Sequence, residues 1–168
     1  MVYKDCNIGS AKPDEKTLKK YPHHLISLKS LDNIFTVSDF CECANKLIIE
    51  AHKNGKLPVL VGGSMMYFKS LFDGIHDLPD RDEVYREELK KLKNNNPEGC
   101  LYKILKDTDP VYANFINKND DMRIIRALEI YKNSHKKMSD ILKEKPTNGV
   151  KHKYDIHQFG IHFKRDIL

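Results

Sequence analysis

The sequence has no apolar run of about 18 residues, the length that a membrane-spanning helix needs. Met1–Ser10 also lacks the basic stretch and apolar segment of a secretory signal. We therefore expect a soluble protein that is not exported and has no membrane partner. Glycine and proline are scarce, with 8 and 7 residues among 168. This scarcity excludes a collagen-like or low-complexity chain.

Cysteine is also infrequent, and its spacing excludes two common uses. The four cysteines are Cys6, Cys41, Cys43 and Cys100. No two of them form a C-x-x-C metal pair, and they are too few and too scattered for a disulfide framework. A reducing, cytoplasmic setting is the simplest one for such a chain.

The charge is unevenly distributed along a chain whose length suits one domain. Residues 1–84 carry 11 basic and 12 acidic side chains, whereas residues 85–168 carry 18 and 12. Between 123 and 165 the basic side chains outnumber the acidic ones by 11 to 4. This asymmetry is expected of a surface that meets a polyanion. A solvated lysine-rich face is the alternative.

The first part of the chain shows the order helix then strand. Apolar residues between 35 and 55 follow helical spacing, with Thr36 or Ser38 as the cap and Gly55 at the end. The run Leu57–Val61 is typical of a strand buried on both faces in a parallel sheet. Further elements are predicted in the same α/β part: strands over 25–28 and 154–163, and a helix over 65–72.

The middle of the chain predicts helices without intervening strands. They are expected over 80–92, around 101–105, from the Asp109-Pro110 cap, and from Asp120 or Asp121 to about 133. An α/β core interrupted by an all-helical insertion is the economical architecture. The predicted boundaries are 1–78 for the first part of the core, 79–146 for the insertion and 147–168 for the return to the core.

Gly62-Gly63-Ser64 lies between the predicted strand and the next helix. Small residues and free N–H groups at such a helix start can bind phosphate. The spacing is not that of a Walker A loop, and residues 1–168 contain no such loop. A simple helix cap is the alternative reading of Ser64.

Several other side chains are candidates for binding. Arg123 and Arg126 share one side of the last predicted helix and suit bidentate phosphate binding. Adjacent His23 and His24 suit acid–base chemistry or an RNA contact, and Tyr67 offers a ring for base stacking. Each has a structural alternative: an exposed charged stripe, a satisfied histidine and a packed core aromatic, respectively.

Five short motifs occur in a fixed order along the chain. They are Ile8–Pro13, Pro22–Leu25, Asp39-Phe40, Val61–Ser64 with Tyr67, and Asp121–Glu129. In order and spacing they resemble the tRNA dimethylallyltransferase family from Val2 to about Leu168. The resemblance implies a P-loop-kinase-like parallel sheet core whose helical insertion contacts tRNA.

The resemblance also implies an activity and its partners. Members transfer a dimethylallyl group from dimethylallyl diphosphate to N6 of the adenine 3′ of the anticodon, after that base is flipped out of its loop. The implied partners are the tRNA anticodon stem-loop and dimethylallyl diphosphate, with Mg²⁺ and a nucleotide-binding (ATP-type) P-loop. A monomer is expected, and no metal ligand is identifiable in this chain.

Residue by residue, the resemblance assigns Ser64 to catalysis, as a donor beside the leaving group. The residues that it assigns to tRNA binding are Arg86, Met122, Arg123, Ile124, Ile125 and Arg126. Weaker assignments to the substrate channel are Gly62, Gly63, Tyr67 and His23. Two positions depart from the family: Ser64 replaces a commoner threonine and keeps the hydroxyl, whereas Met122 replaces a frequent glutamine and loses a polar group.

In the family, the N-terminal strand, the P-loop and the catalytic aspartate precede the residues that correspond to Val2-Tyr3. The family also continues through further helices beyond the residues that correspond to 165–168. We therefore expect residues 1–168 to be an incomplete form of the enzyme that lacks the N-terminal P-loop and the C-terminal part. Two alternatives stay open: a non-catalytic RNA-binding remnant, and a prenyltransferase that acts on free adenine nucleotides.

Overall fold

The computed structural model describes residues 1–162 and 164, which divide into two compact units. The first unit contains residues 1–75 and the chain from 147 onward, and the second contains 76–146. In the described part of the chain, none of the helices has the length and apolar character needed to cross a membrane.

The first unit is built on three helices: α1 (Glu15–Lys20), α2 (Val37–Lys53) and α3 (Met65–Asp73). Thr36 caps α2 as predicted, because its hydroxyl accepts the Asp39 N–H while the Asp39 carboxylate accepts the Thr36 N–H. The core of this unit lies between α2, α3 and a 3-10 turn at Val150–His152. Its buried residues are Cys41, Ala44, Ile48, Leu71 and Val150.

The predicted sheet core is absent from the described residues. Leu57–Val61 forms no strand, and the side chains of Leu57, Val59 and Val61 are 83%, 76% and 89% exposed. The described β-pairing is one isolated parallel bridge between Tyr3 and Lys29. A strand is stable only where neighbouring strands satisfy its N–H and C=O groups, and none of residues 1–162 or 164 pairs with this run as a strand.

The other two predicted strands also fail, the first for a reason of backbone geometry. Leu25 and Ser27 have φ values of 61° and 53°, which a strand does not allow. Residues 154–162 form no strand, and the end of that predicted strand at Phe163 lies outside the described residues. The last residues of the 147–168 segment, from Arg165 onward, also lie outside them.

The second unit consists of five helices: α4 (Glu83–Asn94), α5 (Cys100–Thr108), α6 (Pro110–Ala113), α7 (Asp121–Ser134) and α8 (Met138–Ile141). Asp109 and Asp120 cap α6 and α7, as the sequence predicts. The central helix is α7, which buries one face against α4, α5 and α8. The core residues are Leu89, Leu101, Leu105, Ala113, Ile124, Ile125, Ala127 and Leu128.

Asp109 joins two helices of this unit through one buried carboxylate. One oxygen accepts the Tyr112 N–H at 3.0 Å and the other accepts the Ser139 N–H at 2.9 Å. Burial opposes ionisation, but these backbone donors hold the pKa of Asp109 below its usual value. The charged form therefore fixes the start of α6 against α8.

Close backbone contact at Gly149 fixes the chain to the end of α3. A Cβ at Gly149 would lie 2.1 Å from the Phe72 carbonyl oxygen and 2.5 Å from the Asp73 carbonyl carbon. Beside it, the Asn148 amide accepts the Ile75 N–H at 2.9 Å and donates to the Ile75 carbonyl at 3.1 Å. Only glycine fits this approach without moving backbone atoms.

We expect Gly149→Ala to lower the free energy of unfolding by about 1–3 kcal/mol, the usual cost of forcing an extra methyl group into a packed site. Urea unfolding followed by circular dichroism measures the change. Gly160→Ala is the matched control, because a Cβ there meets nothing within 4 Å. Equal stability of the two variants would contradict the proposed close contact.

Candidate functional site

The Gly62-Gly63-Ser64 loop is exposed and leads directly into α3. Ser64 occupies the cap position, and its carbonyl oxygen accepts the Tyr67 N–H at 2.9 Å. Its hydroxyl, however, makes no capping hydrogen bond. The hydroxyl is therefore not used to start the helix, which leaves it available to donate to a ligand.

Tyr67, one turn into α3, belongs to an aromatic cluster. Its ring stacks on Phe40 with centroids 4.6 Å apart and meets Phe35 edge-on at 6.4 Å. The Tyr3 hydroxyl accepts the Phe35 N–H at 3.1 Å, which ties the start of the chain to the cluster. Burial raises the pKa of the Tyr67 hydroxyl. The Tyr67 ring is therefore packed among other aromatic side chains, which was the structural alternative. A role for Tyr67 in a substrate channel stays a prediction.

His23 lies on an exposed segment of the first unit. Its Nδ1 is 2.6 Å from the carbonyl oxygen of Tyr21, a local hydrogen bond that orients the ring. His24 is exposed as well. The structure thus gives His23 a backbone partner, and its assignment to the channel stays a prediction.

In the second unit, two of the arginines predicted to bind tRNA, Arg86 and Arg126, meet at Glu129, a residue outside the predicted site. The Glu129 carboxylate is completely buried. Arg86 donates to it twice, from Nε at 2.6 Å and from Nη2 at 2.8 Å. Arg126 donates to it from Nη1 and reaches the Pro79 carbonyl oxygen from Nη2 at 2.8 Å.

The backbone of Asp82 completes this arrangement, because its N–H donates to Glu129 at 2.8 Å just before α4 begins. We name Glu129, Arg86, Arg126 and Asp82 the Glu129 cluster. Burial alone would raise the pKa of Glu129, but the hydrogen bonds from Arg86, Arg126 and the Asp82 N–H lower it to about 2. The carboxylate is therefore charged throughout the physiological range.

The segment from Met122 to Arg126 divides by exposure. Ile124 and Ile125 are 1% and 8% exposed, so their side chains stabilise the core. Met122 is 73% exposed, and Arg123 is exposed with its guanidinium paired to the Asp120 carboxylate. The part of the segment that can contact a ligand through side chains is thus Met122, Arg123 and the outer part of Arg126.

Arg86 itself is 9% exposed, and its guanidinium is engaged by Glu129. Its tRNA-binding role stays a prediction, and its observed contacts are structural. The signal for the cluster was present in the sequence. Glu129 is an acidic residue between Leu128 and Ile130 on an otherwise buried helix face, three residues after Arg126.

The charge state of Glu129 predicts a pH dependence of stability. Because the pKa of the folded state, about 2, is below the ordinary 4.5, the stabilisation is complete above pH 4.5 and is lost as the pH falls toward 2. The linked free energy is roughly 3 kcal/mol. Glu129→Gln should therefore flatten the pH dependence of unfolding in this range, as urea titrations at several pH values measure.

The control for this titration is Glu144→Gln, which changes an exposed glutamate of the same unit. This variant should retain the wild-type pH dependence. The account of the cluster is wrong if Glu129→Gln and Glu144→Gln unfold with the same pH dependence.

Comparisons with known proteins agree with the resemblance seen in the sequence. The tRNA dimethylallyltransferase of Vesicomyosocius okutanii subsp. Calyptogena okutanii is 44% identical over 141 residues, or 84% of this chain and 46% of that protein. The tRNA dimethylallyltransferase 1 of Syntrophotalea carbinolica is 35% identical over 167 residues, or 99% and 52%. The chain thus spans about half the length of the curated relatives it matches.

A solved structure adds a similarity in three dimensions. It is that of a eukaryotic dimethylallyltransferase acting on tRNA, with a TM-score of 0.69 and 29% identity, covering 86% of this chain and 36% of that one. The model of the IPP transferase family matches residues 1–168. Because that match runs through both the Ser64 loop and the Glu129 cluster, the chain belongs to the IPP transferase family.

Proposed function

We propose that this protein transfers a dimethylallyl group from dimethylallyl diphosphate to N6 of the adenine 3′ of the anticodon in tRNA. The observation that carries the proposal is the family match through residues 1–168. Relatives at 44% and 35% identity are named tRNA dimethylallyltransferases, which supports the same activity here. The P-loop-kinase-like fold is supported by the similarity to the eukaryotic structure.

In the proposed reaction, Ser64 acts on the leaving group. The bond between the allyl carbon and the diphosphate oxygen breaks while the bond to N6 forms, so the diphosphate leaves with the electron pair and gains negative charge. N6 loses one proton to a base, which in the family is the aspartate that precedes the residues corresponding to Val2-Tyr3. A hydroxyl that makes no capping bond can donate to one of those oxygens and stabilise that charge. Gly62 and Gly63, which precede Ser64, add no side chains of their own to this loop.

RNA binding is proposed for the exposed start of α7. Arg123 presents an exposed guanidinium whose partner is the Asp120 carboxylate. An exposed ion pair of this kind contributes little to stability, so an RNA phosphate can replace Asp120 at small cost. The tRNA anticodon stem-loop is the partner that the family relationship favours.

The described residues contain no cluster of three or more His, Cys, Asp or Glu side chains that could hold a metal ion. Mg²⁺ and nucleotide binding stay predictions that rest on the family relationship. We also propose that the protein is a monomer. The four free cysteines favour a reducing, cytoplasmic setting.

Arg123→Gln tests the RNA contact. We expect weaker binding of an anticodon stem-loop RNA, with the slope of log affinity against log salt reduced by about 1, because one phosphate contact is lost. Fluorescence anisotropy over a salt series measures both quantities. The matched control is Arg81→Gln, which removes another exposed arginine paired to a carboxylate, that of Glu83. Equal effects of the two substitutions would contradict the assignment of Arg123.

Ser64→Ala tests the diphosphate contact. Losing one hydrogen bond to a charged oxygen should weaken binding of dimethylallyl diphosphate about tenfold or more, whereas Ser64→Thr should keep it. Isothermal titration calorimetry with the 168-residue chain measures the affinity. A chain that binds the RNA but not the diphosphate would favour the non-catalytic RNA-binding alternative, which the basic second half of the chain supports.

A further inference from the structure

We propose that Glu129 is a positioning residue that fixes the orientation of Arg126 for an RNA phosphate. The inference rests on the proposed function, because it concerns how the chain binds tRNA. Glu129 is buried and does not itself contact the RNA. Its effect passes through the guanidinium that it holds.

The contacts of Arg126 show how it is held. Nη1 donates to Glu129, three residues further along α7, and Nη2 donates to the Pro79 carbonyl oxygen at 2.8 Å. These two bonds use two of the five N–H donors of a guanidinium. The side chain stays 31% exposed, so an acceptor can approach it from solvent while the two bonds hold its orientation.

Glu129 can act as an anchor because it is itself held from two other directions. Arg86 donates to both of its oxygens, and the Asp82 N–H donates to Oε1. The Glu129 carboxylate is therefore fixed independently of Arg126. Its hydrogen bond to Arg126 in turn fixes the orientation of the Arg126 guanidinium. An arginine ordered before binding loses less side-chain entropy when the phosphate arrives.

The Asp82 carboxylate is paired with Lys132. The two guanidinium groups of Arg86 and Arg126 therefore face only the Glu129 carboxylate, which leaves one net positive charge among these three side chains. Arg86 is nearly buried at 11% side-chain exposure, whereas Arg126 is 31% exposed. The excess positive charge therefore reaches solvent at Arg126. This placement suits a phosphate, whose binding releases counterions from the RNA.

Glu129→Gln separates positioning from simple charge compensation by the sign of its effect. If Glu129 only offset positive charge, its removal would tighten RNA binding, because the net charge rises by one. Positioning predicts about a three- to tenfold loss of affinity, the cost of ordering one freed arginine side chain. Glu87→Gln is the control, because it makes the same charge change at an exposed ion pair with Lys90. This control should bind as well as, or slightly tighter than, the unmodified chain.

The test measures anticodon stem-loop RNA binding to the 168-residue chain by fluorescence anisotropy, at a temperature where circular dichroism shows each variant folded. The double-mutant cycle with Arg126→Gln identifies the route of the effect. Positioning predicts that Glu129→Gln causes no further loss once Arg126 is replaced. A merely structural role would cause the same loss in both backgrounds and would overturn the inference.

If Glu129→Gln does not fold, Glu129→Asp takes its place. This variant keeps the charge and shortens the side chain by one methylene, so an affinity equal to that of the unmodified chain would overturn the inference and a three- to tenfold loss would support it. A Glu129→Gln variant that binds as tightly as Glu87→Gln overturns the inference alone. Failure of the unmodified chain to bind the RNA overturns the inference together with the proposed RNA contact.

Discussion

The second unit depends on one buried carboxylate. An isolated charge in a protein interior is costly, so Glu129 can be buried only where donors compensate it. Two arginines and a backbone N–H do so, and they come from the segment that starts α4, from α4 itself and from α7. Removing any partner would leave a buried charge incompletely paired, which is why the cluster fixes how these elements meet.

In the first unit the corresponding constraint is close contact of backbone atoms. Gly149 approaches the end of α3 within a distance that no side chain allows. The Asn148 side-chain amide forms hydrogen bonds with the backbone N–H and carbonyl of Ile75. The apolar run Leu57–Val61 is not part of this core and stays exposed. The unit therefore combines a fixed helical contact with an apolar segment that has no strand partner in the described part of the chain.

Local signals predicted helices α2 to α7 but not the short helices α1 and α8. Non-local contacts account for the predicted strands that do not form and for the Glu129 pairing that was not predicted. Thr36, Asp109 and Asp120 carry their capping information within a few residues, so the starts of α2, α6 and α7 were predicted from the sequence. A strand depends on partners elsewhere in the chain, which the apolar character of Leu57–Val61 cannot reveal. The pairing of Glu129 with Arg86 joins residues 43 positions apart, whereas its pairing with Arg126 was predictable from helical spacing.

For the site residues, too, the sequence indicates which residues belong to the segment, whereas the fold decides which of their side chains are exposed. Resemblance identified 122–126 as one segment, but the helix turns Ile124 and Ile125 into the core and leaves Met122 and Arg123 exposed.

NMR of the arginine guanidinium groups tests the central claim, that Glu129 immobilises Arg86 and Arg126, most directly. The account predicts separate, slowly exchanging Nη–H signals for both arginines, which collapse in Glu129→Gln. Rapidly rotating, averaged guanidinium signals in the unmodified chain would contradict it.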